Sequence, residues 1–339
     1  MIDLRSDNTA GVSERVMAAL AAANRGTATP YAADDLSERM RGAVRALFET
    51  DALDVWPVFT GTAANMLALG ALCPPWGGIV CHRHAHILCD ESTGPEMITG
   101  GARLLPIGEA GHKLAPDTLD GLLRDHPFGS MHAVQPSLLS LTNVSEWGRV
   151  YTPEETAALA ATAKRYGLRV HVDGARFANA VGATGARPAD LTWRAGVDAL
   201  SLGATKGGCM AAELLVLFGE ARHAGMAFLR KRAGQVMSKG RYMAAQVLAW
   251  LADDHWLDMA RHANAQAAAL HRLLAAQPGV RFDSPVEANL LFPTLEPATR
   301  ARLAEHAQFY DWLDGTVRMV CAFDTDIAPL QRALGDDAR

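Results

Sequence analysis

Residues 152–174 read Thr-Pro-Glu-Glu-Thr-Ala-Ala-Leu-Ala-Ala-Thr-Ala-Lys-Arg-Tyr-Gly-Leu-Arg-Val-His-Val-Asp-Gly. A helix opens here with Thr152 as N-cap, Pro153 at the first helical position and Glu155 completing a capping box. It runs to about Tyr166 and stops at Gly167. The apolar run 168–172 follows as a strand and delivers Asp173 at its carboxyl end. A helix followed at once by a buried strand is the repeating unit of a parallel sheet. The same alternation extends outward. Residues 55–59, 79–82, 138–141, 199–202 and 211–218 read as strands, and 61–72 reads as a helix entered through a glycine turn. The expected fold class is therefore α/β, a mainly parallel sheet sandwiched by helices. In such sheets ligands bind beyond the carboxyl ends of the strands. Residues 219–277 are helix-rich, and the last sixty or so suggest a small α+β unit. The predicted division is a large unit of residues 1–240 and a small C-terminal domain of residues 241–339.

Composition narrows the class. A hydrophobic fraction of 49% with 20% charged residues fits a soluble globular enzyme rather than a disordered chain. The net charge of −5, with no basic stripe interleaved with aromatics, argues against a nucleic-acid partner. No apolar run approaches the ~20 residues of a membrane helix, and the first residues show no signal-peptide pattern, so no membrane association is expected. Cys73, Cys81, Cys89, Cys209 and Cys321 are odd in number and form no Cys-x-x-Cys. They point to a reduced, cytoplasmic compartment.

The chemistry concentrates at strand ends. Lys206 sits in Asp-Ala-Leu-Ser-Leu-Gly-Ala-Thr-Lys-Gly-Gly, residues 198–208, at a glycine-flanked turn after a strand. An amine there, with the Asp173 carboxylate and the Arg176 guanidinium at a neighbouring strand end, suits pyridoxal 5'-phosphate. The amine would form a Schiff base with its aldehyde, and the carboxylate would keep its pyridine nitrogen protonated. Asp173 also reads as an N-cap for the helical stretch that follows, which does not exclude that role. Arg176 reads either as a salt-bridged arginine or as a donor to the cofactor's phenolic oxygen. Gly61-Thr62-Ala63-Ala64-Asn65 follows a strand and opens a helix, so Gly61 and Thr62 offer either a phosphate cradle or an ordinary turn. His82, His84 and His86 alternate at spacing two and would share a face on a strand. No carboxylate or cysteine completes a ligand spacing, so no metal is expected, and His86 is preferred as a ring stacked on the pyridine. Arg318 offers a fork for a substrate carboxylate, or a structural ion pair. Near the domain boundary, Arg241 offers charge near a phosphate, and Lys239 reads as a solvated residue.

These residues form an ordered set with Ser6-Asp7-Asn8, Ala23-Asn24-Arg25-Gly26, Leu47-Phe48-Glu49-Thr50-Asp51, Ala85-His86 with Asp90-Glu91, Asp173-Gly174-Ala175-Arg176-Phe177, Leu191-Thr192-Trp193-Arg194-Ala195-Gly196-Val197-Asp198, Gly203-Ala204-Thr205-Lys206, Val286-Glu287-Ala288-Asn289 and Arg318-Met319. On them, the chain resembles the L-threonine aldolases of the β-eliminating lyase group, pyridoxal-phosphate enzymes of fold type I, and within them the low-specificity and phenylserine aldolase branch. The resemblance implies that Lys206 carries the cofactor, Gly61 and Thr62 hold its phosphate, His86 stacks on its ring, Asp173 pairs with the ring nitrogen and Arg176 contacts the phenolic oxygen. It implies that Ser6 and Arg318 hold the substrate carboxylate, and that the chain forms a homodimer or homotetramer with active sites at the interface.

Three departures stand out. Tyr31-Ala32 replaces the family's frequent Tyr-Gly. Thr-Lys-Gly-Gly replaces the branch's usual Thr-Lys-Asn-Gly. Ser145 or Glu146 stands near a histidine that many members carry after the strand at 138–141. The implied reaction on the amino acid substrate is retro-aldol cleavage of L-threonine, L-allo-threonine or phenylserine to glycine and an aldehyde. His86 is the first candidate for its base and Glu91 the second. β-Elimination, racemisation or aldol transfer on the same scaffold, or a catalytically silent cofactor-binding protein, are the competing readings.

Overall fold

The computed structural model describes residues 1–109 and 112–335. Its centre is a sheet of seven strands: β1 (Leu53–Val58), β2 (Gly77–His82), β3 (Arg103–Ile107), β4 (Gln135–Thr142), β5 (Arg169–Gly174), β6 (Ala199–Gly203) and β7 (Glu213–Phe218). They lie in the order β1-β7-β6-β5-β4-β2-β3. From β6 to β3 every neighbour is parallel. β7 alone runs against the rest, antiparallel to both β1 and β6. Every residue of β6 and β7 is buried, which explains why both read as unbroken apolar runs. Both sheet edges carry a proline, Pro57 in β1 and Pro106 in β3, where a missing amide breaks no ladder between two partners.

The sheet and its helices match the expected α/β class. The helix Pro153–Arg165 has both halves of the capping box, and Gly167 beyond it takes a φ of +79°. The helix Gly61–Leu72 forms where the glycine turn places it. Two features were not anticipated. The edge strand β3 was missed because Arg-Leu-Leu-Pro-Ile looks like a loop. The reversal of β7 was missed because an apolar run has no direction written in it.

The largest apolar core lies between the sheet and the helices Asp35–Phe48, Phe177–Thr184 and Arg241–Leu251, with Phe48, Phe177 and Trp250 fully buried. A separate core, with Leu270, Leu291 and Met319, lies under the C-terminal elements. There Val317–Val320 pairs with Leu290–Leu291 and Tyr310–Asp311. The chain's first residues join this unit: Ile2–Asp3 pairs in parallel with Ala307–Gln308, and the Val320 amide donates to the Leu4 carbonyl at 2.8 Å. Among the described residues, no helix is long and apolar enough to cross a membrane.

One buried polar rung crosses three strands. On β5, His171 meets Ser140 Oγ of β4 at 2.9 Å through Nδ1, and Ser201 Oγ of β6 at 3.0 Å through Nε2. Burial pushes this imidazole down from 6.5 to about 4. The unfolded chain therefore holds an extra proton between those values, so this contribution to stability is complete above pH 6.5 and is lost as pH falls to 4. The unfolding free energy of the native chain should fall over that interval by roughly 3 kcal/mol more than that of His171→Asn, measured in urea.

Candidate functional site

A cavity of about 240 Å³ opens at the carboxyl ends of β5 and β6, and Gly61, Thr62, Asn65, His86, Asp173 and Lys206 are among its lining residues. Each reaches it for a local reason. The Thr60 hydroxyl caps the helix Gly61–Leu72 by accepting the Ala63 amide at 3.1 Å. The amides of Gly61 and Thr62 have no acceptor within their own helix and lie at its positive end, where an anion would be favoured. Gly203 ends β6 so close to β5 that an added Cβ would come within 2.6 Å of the Ala175 carbonyl oxygen. That approach brings the Lys206 turn next to Asp173.

Asn65 organises the back wall. From the helix interior its Nδ2 donates to Asp173 Oδ2 and to Glu91 Oε1, each at 2.8 Å. Asp173 Oδ1 accepts the Ala175 amide at 3.0 Å. The N-cap of the next helix is Arg176, not Asp173, so the N-cap reading of Asp173 does not hold. Glu91 Oε1 also meets His86 Nδ1 at 2.8 Å. Burial raises the Glu91 carboxyl, while the hydrogen bond to Glu91 raises the His86 imidazole against its own burial. With Nδ1–H donating to Glu91, His86 keeps a lone pair on Nε2, its other nitrogen. The His86 amide donates to Glu146 Oε1 at 2.7 Å, and the Thr142 hydroxyl donates to the same oxygen at 3.0 Å. Burial pushes Glu146 up to about 7. Ser145 is spent on a turn, its hydroxyl accepting the Arg149 amide.

The three alternating histidines diverge. His82 Nε2 meets the Glu109 carbonyl, His84 Nδ1 accepts the Trp147 indole N–H, and His86 meets Glu91. One set of potential ligand atoms does converge, those of His86, Glu91 and Asp173, all within 4.8 Å of one another. They are already joined by the histidine–carboxylate bond and the Asn65 amide.

Lys206 makes no hydrogen bond or ion pair with any described residue, although it is largely enclosed. Nearby Arg176, and then burial, lower its ammonium, while Asp7, Asp173 and Glu213 pull the other way. A second constellation gathers around Asp7, whose neighbour Asn8 lines the cavity. Arg176 holds Asp7 in a bidentate pair, Nε to Oδ2 at 2.7 Å and Nη2 to Oδ1 at 2.9 Å, and the two side chains are 9% and 2% exposed. Asn289 adds a donor to Asp7 at 3.3 Å. Burial alone would raise the Asp7 carboxyl, but Arg176, Lys206 and Arg318 together hold it below its usual range. Arg318 lies over the Trp312 ring and donates to the Arg5 carbonyl at 3.0 Å; burial pushes it down to about 10. The Ser6 hydroxyl accepts the Asn8 amide at 3.1 Å.

The structure thus collects Lys206, Asp173, His86, Gly61 and Thr62 in one cavity, with Ser6, Arg176 and Arg318 around Asp7 beside it. Asp7, Asn65 and Glu213 were not singled out from the sequence. The signals for them were faint: Asp7 and Asn65 lie inside landmark runs, and Glu213 is a lone acid opening an otherwise apolar strand. The donor set fits pyridoxal phosphate: first-turn amides for an anion, a buried carboxylate and a lysine without a hydrogen-bond partner among the described residues, all lining one cavity. Asn65 Oδ1 and Glu91 Oε2 are buried without partners, which marks the wall as built to meet something polar.

Comparison with known proteins agrees with this geometry. The chain is 40% identical to a low specificity L-threonine aldolase of Pseudomonas aeruginosa over 98% of its own length and 96% of that protein's. It is 38% identical to another from a Pseudomonas species, covering 98% and 95%. A threonine aldolase structure from Leishmania major superposes with a TM-score of 0.92 at 26% identity, covering 99% of this chain and 98% of that one. The family profile for beta-eliminating lyases matches residues 3–296, a span that takes in the whole cavity and the sheet beneath it, and the chain belongs to that family.

Proposed function

We propose that this chain is a pyridoxal-phosphate-dependent aldolase that cleaves L-threonine, L-allo-threonine and related β-hydroxy-α-amino acids, phenylserine among them, to glycine and an aldehyde. The carrying observation is that the unpaired Lys206, the Asp173 carboxylate and the helix N-terminus at Gly61 and Thr62 line one cavity. The cofactor supplies an electron sink for the pair released when the Cα–Cβ bond breaks.

The chain's own residues do the rest. The Gly61 and Thr62 amides bind the phosphate. Asp173, fixed by Asn65 and the Ala175 amide, holds a proton on the ring nitrogen. His86 stacks on the ring, and its Nε2 accepts the substrate's β-hydroxyl proton directly or through water. Glu91 is buried behind His86 and reaches the substrate through that imidazole, so it orients the base. Ser6 and Arg318 hold the substrate carboxylate, which turns the Cα–Cβ bond perpendicular to the ring. Arg176 donates to the cofactor's phenolic oxygen, with its Nε and Nη2 held by Asp7 and its Nη1 left for that contact.

The same reading divides the chain into a cofactor-holding unit of residues 1–240 and a smaller one of 241–339 that supplies Arg318, although the helix Arg241–Leu251 packs on the sheet's core and Ile2–Asp3 pairs with the smaller unit. It extends to a homodimer or homotetramer in the cytoplasm. Five cysteines that join in no disulfide suit a reducing compartment.

The test is aldehyde release from L-threonine, L-allo-threonine and L-phenylserine by purified protein with added pyridoxal phosphate. Release from any of them supports the aldolase reading and ranks the substrates. No release, with the 2-oxo acid of the unbroken skeleton (2-oxobutyrate from threonine, phenylpyruvate from phenylserine) or a racemised amino acid instead, would replace it with elimination or racemisation. Arg318→Ala is expected to raise KM for L-threonine by about 10- to 150-fold, the scale of a lost hydrogen bond to a charged group. An unchanged KM would remove Arg318 from the substrate.

A further inference from the structure

Glu213 opens β7 and lines the same cavity as Lys206, yet nothing in the reaction above uses it. The sheet register fixes its position: Glu213 pairs with Gly203, so the carboxyl stands across the base of the turn that carries the lysine. Its hydrogen bonds among the described residues all go to Thr205, whose amide donates to Oε1 at 3.3 Å. The side chain is buried, and burial pushes its carboxyl up to about 7.

Three acids pull on Lys206, Asp7 most, then Asp173, then Glu213, and they differ in what else they hold. Asp7 is committed to Arg176, and Asp173 to Asn65 and the Ala175 amide. Of these three acids Glu213 alone has no cationic or side-chain amide partner, and of Lys206 and His86, which both line the cavity, only His86 is paired with a carboxylate. The charged and titratable groups around the two are Arg176, Asp7, Asp173, His86 and Cys209; His86 is held by Glu91, and the thiol of Cys209 is buried and held protonated.

We propose that Glu213 is the counter-charge of Lys206, a positioning residue that sets the pH at which the lysine becomes a neutral, reactive amine. The ionised carboxylate favours the ammonium, and loss of the proton leaves a lone pair on Nζ free to attack an aldehyde. This rests on the reading of Lys206 as the cofactor amine. The Thr205 contact gives a competing structural role, in which Glu213 merely holds the turn. Glutamine separates the two, because it keeps an oxygen for the Thr205 amide and loses the charge.

The experiment mixes cofactor-free protein with pyridoxal phosphate and follows the absorbance change of capture from pH 5 to 9, for the native chain, Glu213→Gln, Glu213→Asp and Lys206→Ala. In Glu213→Gln the midpoint of the rate–pH curve should fall by about one pH unit, since removing a nearby opposite charge destabilises the ammonium. In Glu213→Asp, whose carboxylate is drawn back by one methylene, it should fall less. An unchanged midpoint in Glu213→Gln overturns the proposal and leaves the structural role. If that variant does not fold, an unchanged midpoint in Glu213→Asp overturns it instead. Lys206→Ala should capture nothing. Capture by it with the same spectral change would overturn the reading of Lys206 itself, a failure distinguishable from that of Glu213.

Discussion

Replacing Lys206 by alanine is expected to lower aldehyde release from L-threonine by roughly four to six orders of magnitude, the scale on which losing a covalent nucleophile acts. Lys206 is the only lysine lining the cavity, so no described amine stands in for it. The fold should survive. Lys206 makes no hydrogen bond to lose, and Arg176, the strongest influence on it, is a cation that repels it. The variant should therefore melt at or above the temperature of the cofactor-free native chain. Turnover measured with a coupled aldehyde assay, beside a melting curve, checks both halves. Residual turnover within tenfold of native would move the covalent role to another residue.

The largest effect on stability is expected at Asp7. Its pair with Arg176 is almost wholly enclosed. Removing one partner of such a pair strands the other charge in a low-dielectric site and costs about 3–5 kcal/mol. Asp7→Ala should lose that much in urea unfolding, with KM for the amino acid rising as the residues around Asp7 relax. Asp7→Leu combined with Arg176→Met should recover most of the stability, because no charge is then left buried. A loss below about 1 kcal/mol for Asp7→Ala would show that water reaches Arg176.

The sheet was legible because its local signals agree with one another. The Thr152 capping box, the glycine turn at Gly61 and the apolar runs at β5 and β6 each specify one element without help from distant residues. Gly61, Thr62, Asp173 and Lys206 followed, since strand ends and a helix N-terminus can be read from a linear pattern. What escaped depends on contacts distant in sequence. Asp7 and Arg176 are joined only after the chain has folded, and Asn65 reaches Glu91 and Asp173 from the interior of a helix where its neighbours are apolar. The direction of β7, and with it the placing of Glu213, is set by pairing with β1 and β6. The run Leu-Leu-Val-Leu-Phe is compatible with either direction.

The pairing of Ile2–Asp3 with Ala307–Gln308 has a consequence for synthesis. Ile2 and Asp3 are synthesised long before their partner strand, which can form only once residues 307–308 have been made. Until then Leu4 lacks its covering core, and Asp7 has no fixed path to Arg176. A nascent chain stalled before residue 307 should thus hold its sheet but lack a finished pocket.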